Sequence, residues 1–170
     1  MTNSATDYEF FWGGIYSQWY NAPIMIDGVR YTSNEQYMMA QKAQLFGDDV
    51  SYHKIMATND CAQQKFIGRH VVGFTVEKWQ TVCRLIVYRA NLAKFSQNKD
   101  LWVYLDGTGH KWIVEASTED KIWGIGMAEN HPDILDPSKW QGTNWLGEAI
   151  MQVRSDIRAI IGSGIGMPSA

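Results

Sequence analysis

The stretch PIMIDGVRYTSNEQYMMAQKAQLFG, residues 23–47, constrains the fold more than any other part of the chain. Asp27-Gly28 lies between two runs of β-type residues, the pattern of a hairpin with a two-residue turn. Ser33 follows at once, with Gln36 three places on. That spacing is a capping box, in which the hydroxyl takes an otherwise orphaned amide hydrogen of the first turn. The helix it opens is expected to stop at Gly47, just after Phe46. The chain is therefore predicted to pass from a hairpin straight into a helix.

That helix raises a question of charge. Seven residues of helix rise roughly 10 Å, about two turns, so Glu35 and Lys42 share a face. Met38, Met39, Leu45 and Phe46 lie on the same stripe. A charge in apolar surroundings is costly unless it is paired or faces a wet cavity. Three bland accounts fit: a small error of helix phase, Lys42 reaching back to solvent, or Glu35 favouring the helix N-terminus. Periodicity alone favours these. The functional account is that the face lines a polar pocket.

The 170 residues fit one domain, long enough to bury a core without metal or disulfide staples. Apolar content of 45% and charged content of 19% describe a folded globular chain rather than a disordered one. The domain is expected over residues 8–161, with an N-terminal extension at 1–7 and a flexible tail at 162–170. A net charge of −3 argues against broad electrostatic binding to nucleic acid or an anionic membrane, but leaves room for a small anionic ligand or a local nucleic-acid contact. Cys61 and Cys83 have no metal-type spacing, and Cys83 reads as a buried thiol. His53, His70, His110 and His131 show no ligand spacing, so neither a metal nor another cofactor is expected. The opening MTNSATDYEF has no basic n-region and no apolar core, and no run approaches membrane-spanning length. A cytoplasmic setting with no membrane partner is expected.

Along the chain, YEFFW (8–12) reads as a strand. Residues 48–57 and 60–68 read as two short helices, the second ended by Gly68. Thr75 to about Lys94 reads as the longest helix, and 98–105 as another capped by Asn98. WIVEA (112–116) is a buried-type strand between a GTGH turn and the glycine-broken segment EDKIWGIGM. Residues 131–142 form a loop. Asn144 can cap a last helix with the stripe Leu146, Ala149, Ile150, Val153 and Ile157. Helices outnumber strands, so the class is α+β: a single compact, mainly helical domain with a small β-sheet.

Two further segments carry chemistry. VEASTEDKIWGIG (114–126) offers Glu115, Glu119 and Asp120, then Trp123 among glycines that let backbone approach a ligand. Asp120 capping a turn and Trp123 filling the core explain the same residues. GTNWLGEAIMQVR (142–154) places a helix N-terminus at Asn144, where free amides can hold an anion. Arg154 lies three turns down and reads as structural. The 8 Trp, 8 Tyr and 6 Phe allow either a ring-rich core or a pocket for a flat heterocycle.

Taken in order, NEQYMMAQKAQLFGD, IGRHVVGF with the following Trp79, NLAKFSQN, GTG, VEASTEDKIWGIG and NWLGEAIMQVR resemble the NADAR superfamily, the YbiA-like N-glycosidases. The resemblance spans roughly residues 8 to 160. It implies cleavage of an N-glycosidic bond between a phosphorylated ribose and a flat base. Two substrate classes are implied: ADP-ribose on guanine in nucleic acid, and the ribosylamino-pyrimidine phosphates of riboflavin biosynthesis. It assigns Glu35, Lys42 and Asp120 to catalysis. Trp123, Gly124, Asn144 and Gly147 match its binding motifs, and Trp12, Arg30 and Arg69 join them as candidate substrate contacts. Lys94 is a further candidate for phosphate, and Phe11 for stacking; a plain surface charge explains Arg30, Arg69 and Lys94 nearly as well. Two departures are a missing proline in TNDCAQQKFIGR and a distinctive 127–143 loop that can set substrate choice.

Such a cleavage builds positive charge at the ribose C1. A carboxylate there answers it, with Glu35 the first choice and Asp120 the second. Lys42 either holds a carboxylate or phosphate, or forms a Schiff base with ring-opened ribose. The competing class is a non-catalytic ADP-ribose-binding module, which would not need this set of acids and amine.

Overall fold

The computed structural model describes residues 7–167. Residues 1–6 of the expected extension and 168–170 of the expected tail lie outside the described residues. Strand β1 (Tyr8–Phe11) leads into a 3-10 turn at Gly14–Tyr16, then the hairpin of β2 (Ile24–Ile26) and β3 (Val29–Tyr31). Asp27 and Gly28 both take positive φ, as the tight turn requires. Helix α1 (Asn34–Leu45) follows, with Gly47 left-handed just beyond its end. Then come α2 (Asp49–Met56), α3 (Cys61–Arg69), α4 (Val76–Gln80), α5 (Cys83–Gln97), α6 (Lys99–Gly107), β4 (Trp112–Glu115) and α7 (Trp145–Gly162). The α+β reading holds, but the sheet is two separate pairs: β1 parallel to β4, and β2 antiparallel to β3.

Helix α1 is not amphipathic in the ordinary sense. Asn34 through Ala40 are all buried, because α2, α3 and α5 pack around the helix. The acid at its start is therefore inside on any phase. The main core gathers Tyr37, Met39, Val87, Phe95, Ile113, Ile150 and Ile157 between α1, α5, α7 and β4. Each such side chain contributes roughly 1.5–3 kcal/mol by leaving water. A smaller cluster of Val114, Ala116, Ile125, Met127 and Ile134 lies on the other face of β4.

Several expectations change. The single helix predicted from Thr75 to Lys94 is two, because Val82 leaves the helical region and Thr81 returns its hydroxyl to Lys78 O at 2.7 Å. Gly68 does not end α3 but lies inside it, buried against α1. Asn98 donates to Lys94 O at 2.8 Å instead of capping α6. Among the described residues, no helix is long and apolar enough to cross a membrane.

Candidate active site

The site is built outward from the first turn of α1. Ser33 Oγ accepts the Gln36 amide hydrogen, as the capping box requires. Gln36 accepts from Thr32 N at 2.7 Å, one residue before the expected cap, and donates to Ile55 O and Thr58 O. These bonds lock the turn in the interior and carry Glu35 with it, leaving Glu35 5% exposed. The Glu35 amide donates to Gln18 O at 3.0 Å, and the Trp19 side chain favours the ionised carboxylate. Burial raises the Glu35 pKa to about 7; Lys65, Trp19, Lys42 and Arg69 act in the opposite direction.

Lys42 is two turns along and half-buried. Its ammonium lies 4.3 Å from the Phe74 ring centroid and 5.4 Å from that of Trp79. Burial lowers its pKa, Glu35 pulls it back up, and Arg69 lowers it further. Lys65 and Arg69 sit one turn apart on α3. Gly68 helps α3 close on α1: a Cβ there would collide with the Met39 side chain and force it aside.

The second acid is Glu115, the last residue of β4. Its Oε2 is buried without a hydrogen-bond partner. Burial raises its pKa to about 7; Asp120 and Glu35 push the same way and Lys65 opposes. Glu115 thus lies within electrostatic reach of Asp120, Lys65 and Glu35.

Asp120 itself is committed to the backbone. Its Oδ1 accepts from the amides of Ile122 at 2.9 Å and Trp123 at 2.7 Å, so it caps the turn that carries D-x-I-W-G. Gly124 lets this turn fold against β4, where a Cβ would lie 2.8 Å from Glu115 O and 3.0 Å from Asp120 O. Trp123 is half-buried and meets Trp145 edge-on at 6.0 Å.

Asn144 does not cap α7 with its side chain. It holds φ 55° and turns that side chain onto β4 instead. Its Oδ1 accepts from Glu115 N at 3.0 Å and its Nδ2 donates to Ile113 O at 3.1 Å. Gly147 leaves space for this clamp, since a Cβ would strike Ile113 O and the Asn144 amide.

Other candidates fall elsewhere. Arg30 is exposed on β3, opposite Met25, and is not among the charges acting on Glu35 or Glu115. Lys94 is wholly buried, so it is not a phosphate contact: its Nζ donates to Ser17 O at 2.9 Å beneath Tyr20 and Phe95, and burial lowers its pKa to about 7. Phe11 is a core residue against Tyr16. Arg154 is structural, donating to Thr108 Oγ1 and Lys111 O. Trp12 is 76% exposed and lines a cavity of about 670 Å³ at the C-terminal ends of β1 and β4.

Two members of the cluster escaped the sequence reading. Lys65 had only its i, i+4 relation to Arg69 to mark it. Trp19 had no signal, since it reaches Glu35 from a loop. Glu115 was visible as an acid closing an apolar strand, but nothing local said that it lies in the field of Asp120, Lys65 and Glu35.

The NADAR domain profile matches residues 10–158. An N-glycosidase of Acanthamoeba polyphaga mimivirus is 41% identical over 162 residues, covering 88% of this chain and 95% of that protein. A riboflavin biosynthesis protein of Vibrio vulnificus is 28% identical over 145 residues, covering 85% of this chain and 36% of that longer protein. N-glycosidase YbiA of Escherichia coli is 26% identical over 144 residues, covering 85% of this chain and 81% of that one. Its NMR structure superposes with a TM-score of 0.75 at 24% identity, covering 95% of this chain and 92% of that chain.

Proposed function

Since the chain belongs to the NADAR family, we propose that it is an N-glycosidase, a hydrolase that separates a phosphorylated ribose or ADP-ribose from a heterocyclic base. The observation that carries this is two inward-facing carboxylates, Glu35 buried and Glu115 with a buried, unpartnered Oε2, whose pKa values burial raises to about 7. Two acids poised around neutrality can divide the work of acid and base.

Their surroundings decide the division. Lys65, Lys42 and Arg69 favour an ionised Glu35, whereas Asp120 and Glu35 favour a protonated Glu115. Glu35 then faces the positive charge that develops at C1 and takes a proton from the attacking water. Glu115 gives its proton to the departing base nitrogen. The C1–N bond breaks, the C1–O bond forms, and exchange with solvent resets both acids. Asp120 acts on Glu115 rather than on the substrate. Lys65 and Arg69 are the phosphate contacts.

In its finer form the substrate is guanine carrying ADP-ribose in nucleic acid. A second substrate reading, the ribosylamino-pyrimidine phosphates, is favoured by the similarity to the Vibrio riboflavin biosynthesis protein. A second reading of Lys42 rests on its lowered pKa, since a neutral amine can condense with ring-opened ribose. Borohydride added with substrate traps a covalent adduct at Lys42 only on that path.

The decisive assay incubates the protein with ADP-ribosylated guanine oligonucleotide and, separately, with the pyrimidine intermediates. Release of ADP-ribose supports the first substrate, and release of ribose 5-phosphate the second. Turnover of neither, with ADP-ribose binding intact, replaces the enzyme by a binding module.

A further inference from the structure

We propose that Gln18 is a positioning residue for the first acid: its side chain, gripped by two buried asparagine amides, holds the turn that takes the Glu35 amide hydrogen and carries Trp19. This rests on the N-glycosidase reading and adds to it the part that fixes where the acid stands.

The turn comes first. Ser17 to Tyr20 close a β-turn, with Tyr20 N donating to Ser17 O at 3.2 Å and Trp19 N to Ser17 Oγ at 3.1 Å. Gln18 lies inside it and faces two helices. Its carbonyl accepts the Glu35 amide hydrogen at 3.0 Å. Its Oε1 accepts from Asn34 Nδ2 at 3.1 Å and from Asn91 Nδ2 at 3.2 Å. Asn34 Nδ2 also donates to Asn91 Oδ1 at 3.1 Å, which closes the set. Asn91 is anchored on its own helix, where its Nδ2 donates to Val87 O at 2.9 Å. Three residues further along α5, Lys94 Nζ donates to Ser17 O at 2.9 Å. The turn is thus tied to α1 and to α5 at once.

The purpose comes second. Asn34, Asn91 and Lys94 are all buried. Apolar side chains of similar size would hold α1 and α5 together as well, because a buried polar network gains little net stability. What it gains is one arrangement, since its donors are satisfied by a single placement of the turn. Glu35 is the group that depends on that placement. Trp19 is 45% exposed, with Lys65 Nζ 5.6 Å from its ring centroid. Trp19 favours the ionised Glu35, as do Lys65 and Arg69 of α3 and Lys42 of α1. Glu115 on β4 and Cys61 at the start of α3 feel the Glu35 charge in turn. Lys94 is not among the charges acting on Glu35. Helix α5 therefore influences the ionisation of the acid through the turn and not through its own amine.

The test is a double-variant cycle read against pH. Gln18→Met keeps the length of the side chain and removes the acceptor. Asn34 Nδ2 retains Asn91 Oδ1 and Asn91 Nδ2 retains Val87 O, so the variant is expected to fold. We expect the acidic limb of kcat/KM to move to higher pH in Gln18→Met and in Trp19→Phe, with kcat/KM on that limb falling about two- to tenfold, the size of one hydrogen bond. The double variant should move no further than the larger single shift, because both act through one ring. A second measurement needs no turnover. The Trp19 indole N–H resonance, identified by its absence in Trp19→Phe, should follow Glu35 with a midpoint at about pH 7 in the wild type. It should be flat in Glu35→Gln and lose its pH dependence in Gln18→Met. An unmoved limb in Gln18→Met, additive shifts, or a wild-type resonance indifferent to pH across neutrality overturns the positioning role. A wild type that turns over neither substrate class, while its Trp19 resonance still follows Glu35, overturns the N-glycosidase reading instead.

Discussion

The side chain of Asn144 holds the backbone on both sides of Val114, accepting from Glu115 N at 3.0 Å and donating to Ile113 O at 3.1 Å. Asn144 sits at the start of α7, in the left-handed conformation. A residue that local sequence marks as a helix cap thus fixes where the second acid stands.

Asn144→Ala is expected to leave Glu115 N and Ile113 O unpaired inside the protein. Each orphaned group costs roughly 1–3 kcal/mol. Chemical denaturation should show the loss, and kcat should fall more than KM changes. A variant with normal stability and full kcat rejects the positioning role.

Glu35→Gln should abolish turnover and stabilise the fold. The Glu35 pKa is raised from 4.5 to about 7 in the native state. Between those values the native protein binds more protons than the unfolded chain, so stability falls as pH rises through that window. Above it the full penalty of a buried charge remains, on the order of 3 kcal/mol. The neutral amide removes that penalty, so the gain should be largest at about pH 8 and vanish near about pH 4. Equal stabilities at both pH values refute it.

Turnover should be bell-shaped with its maximum near neutrality, since one carboxylate must be ionised and its neighbour protonated. Lys65→Met should move the acidic limb upward, because Lys65 is the largest influence holding the Glu35 pKa down. Glu115→Gln should lose the alkaline limb along with most of the rate. A wild-type profile that is flat across neutrality is incompatible with this pair.

Lys94→Met tests the buried amine. Burial lowers the Lys94 pKa from 10.5 to about 7. Over that interval the native state binds fewer protons than the unfolded chain, so stability rises with pH. The variant should gain most over wild type below about pH 7, by up to a few kcal/mol, and lose that advantage toward about pH 10. Urea titrations at both ends measure it, and a constant difference contradicts the burial argument. Losing the bond to Ser17 O should also loosen the segment that carries Trp19 and lower kcat.

Much of the fold could be read locally because its signals are local. The Asp27-Gly28 turn, the Ser33 cap, the stop at Gly47 and the stripe of α7 each depend on neighbours a few residues away. The errors arise where a local signal met a tertiary demand. Gly68 looked like a helix stop, yet it is the contact that lets α3 reach Met39. Asn98 and Asn144 looked like caps, yet their side chains are used by Lys94 O and by β4.

The sequence by itself determined the order of the elements, the family and the suspicion that Glu35 faces inward. Those follow from spacing and residue type, which the chain carries directly. Only the tertiary structure decided that Glu115, rather than Asp120, is the acid without a partner, and that Lys65 and Trp19 close on Glu35. Glu35 and Glu115 are eighty residues apart along the chain. Both carboxylates are held above the ordinary range because α1 and β4 border one interior, where burial in a low dielectric makes each charge costly.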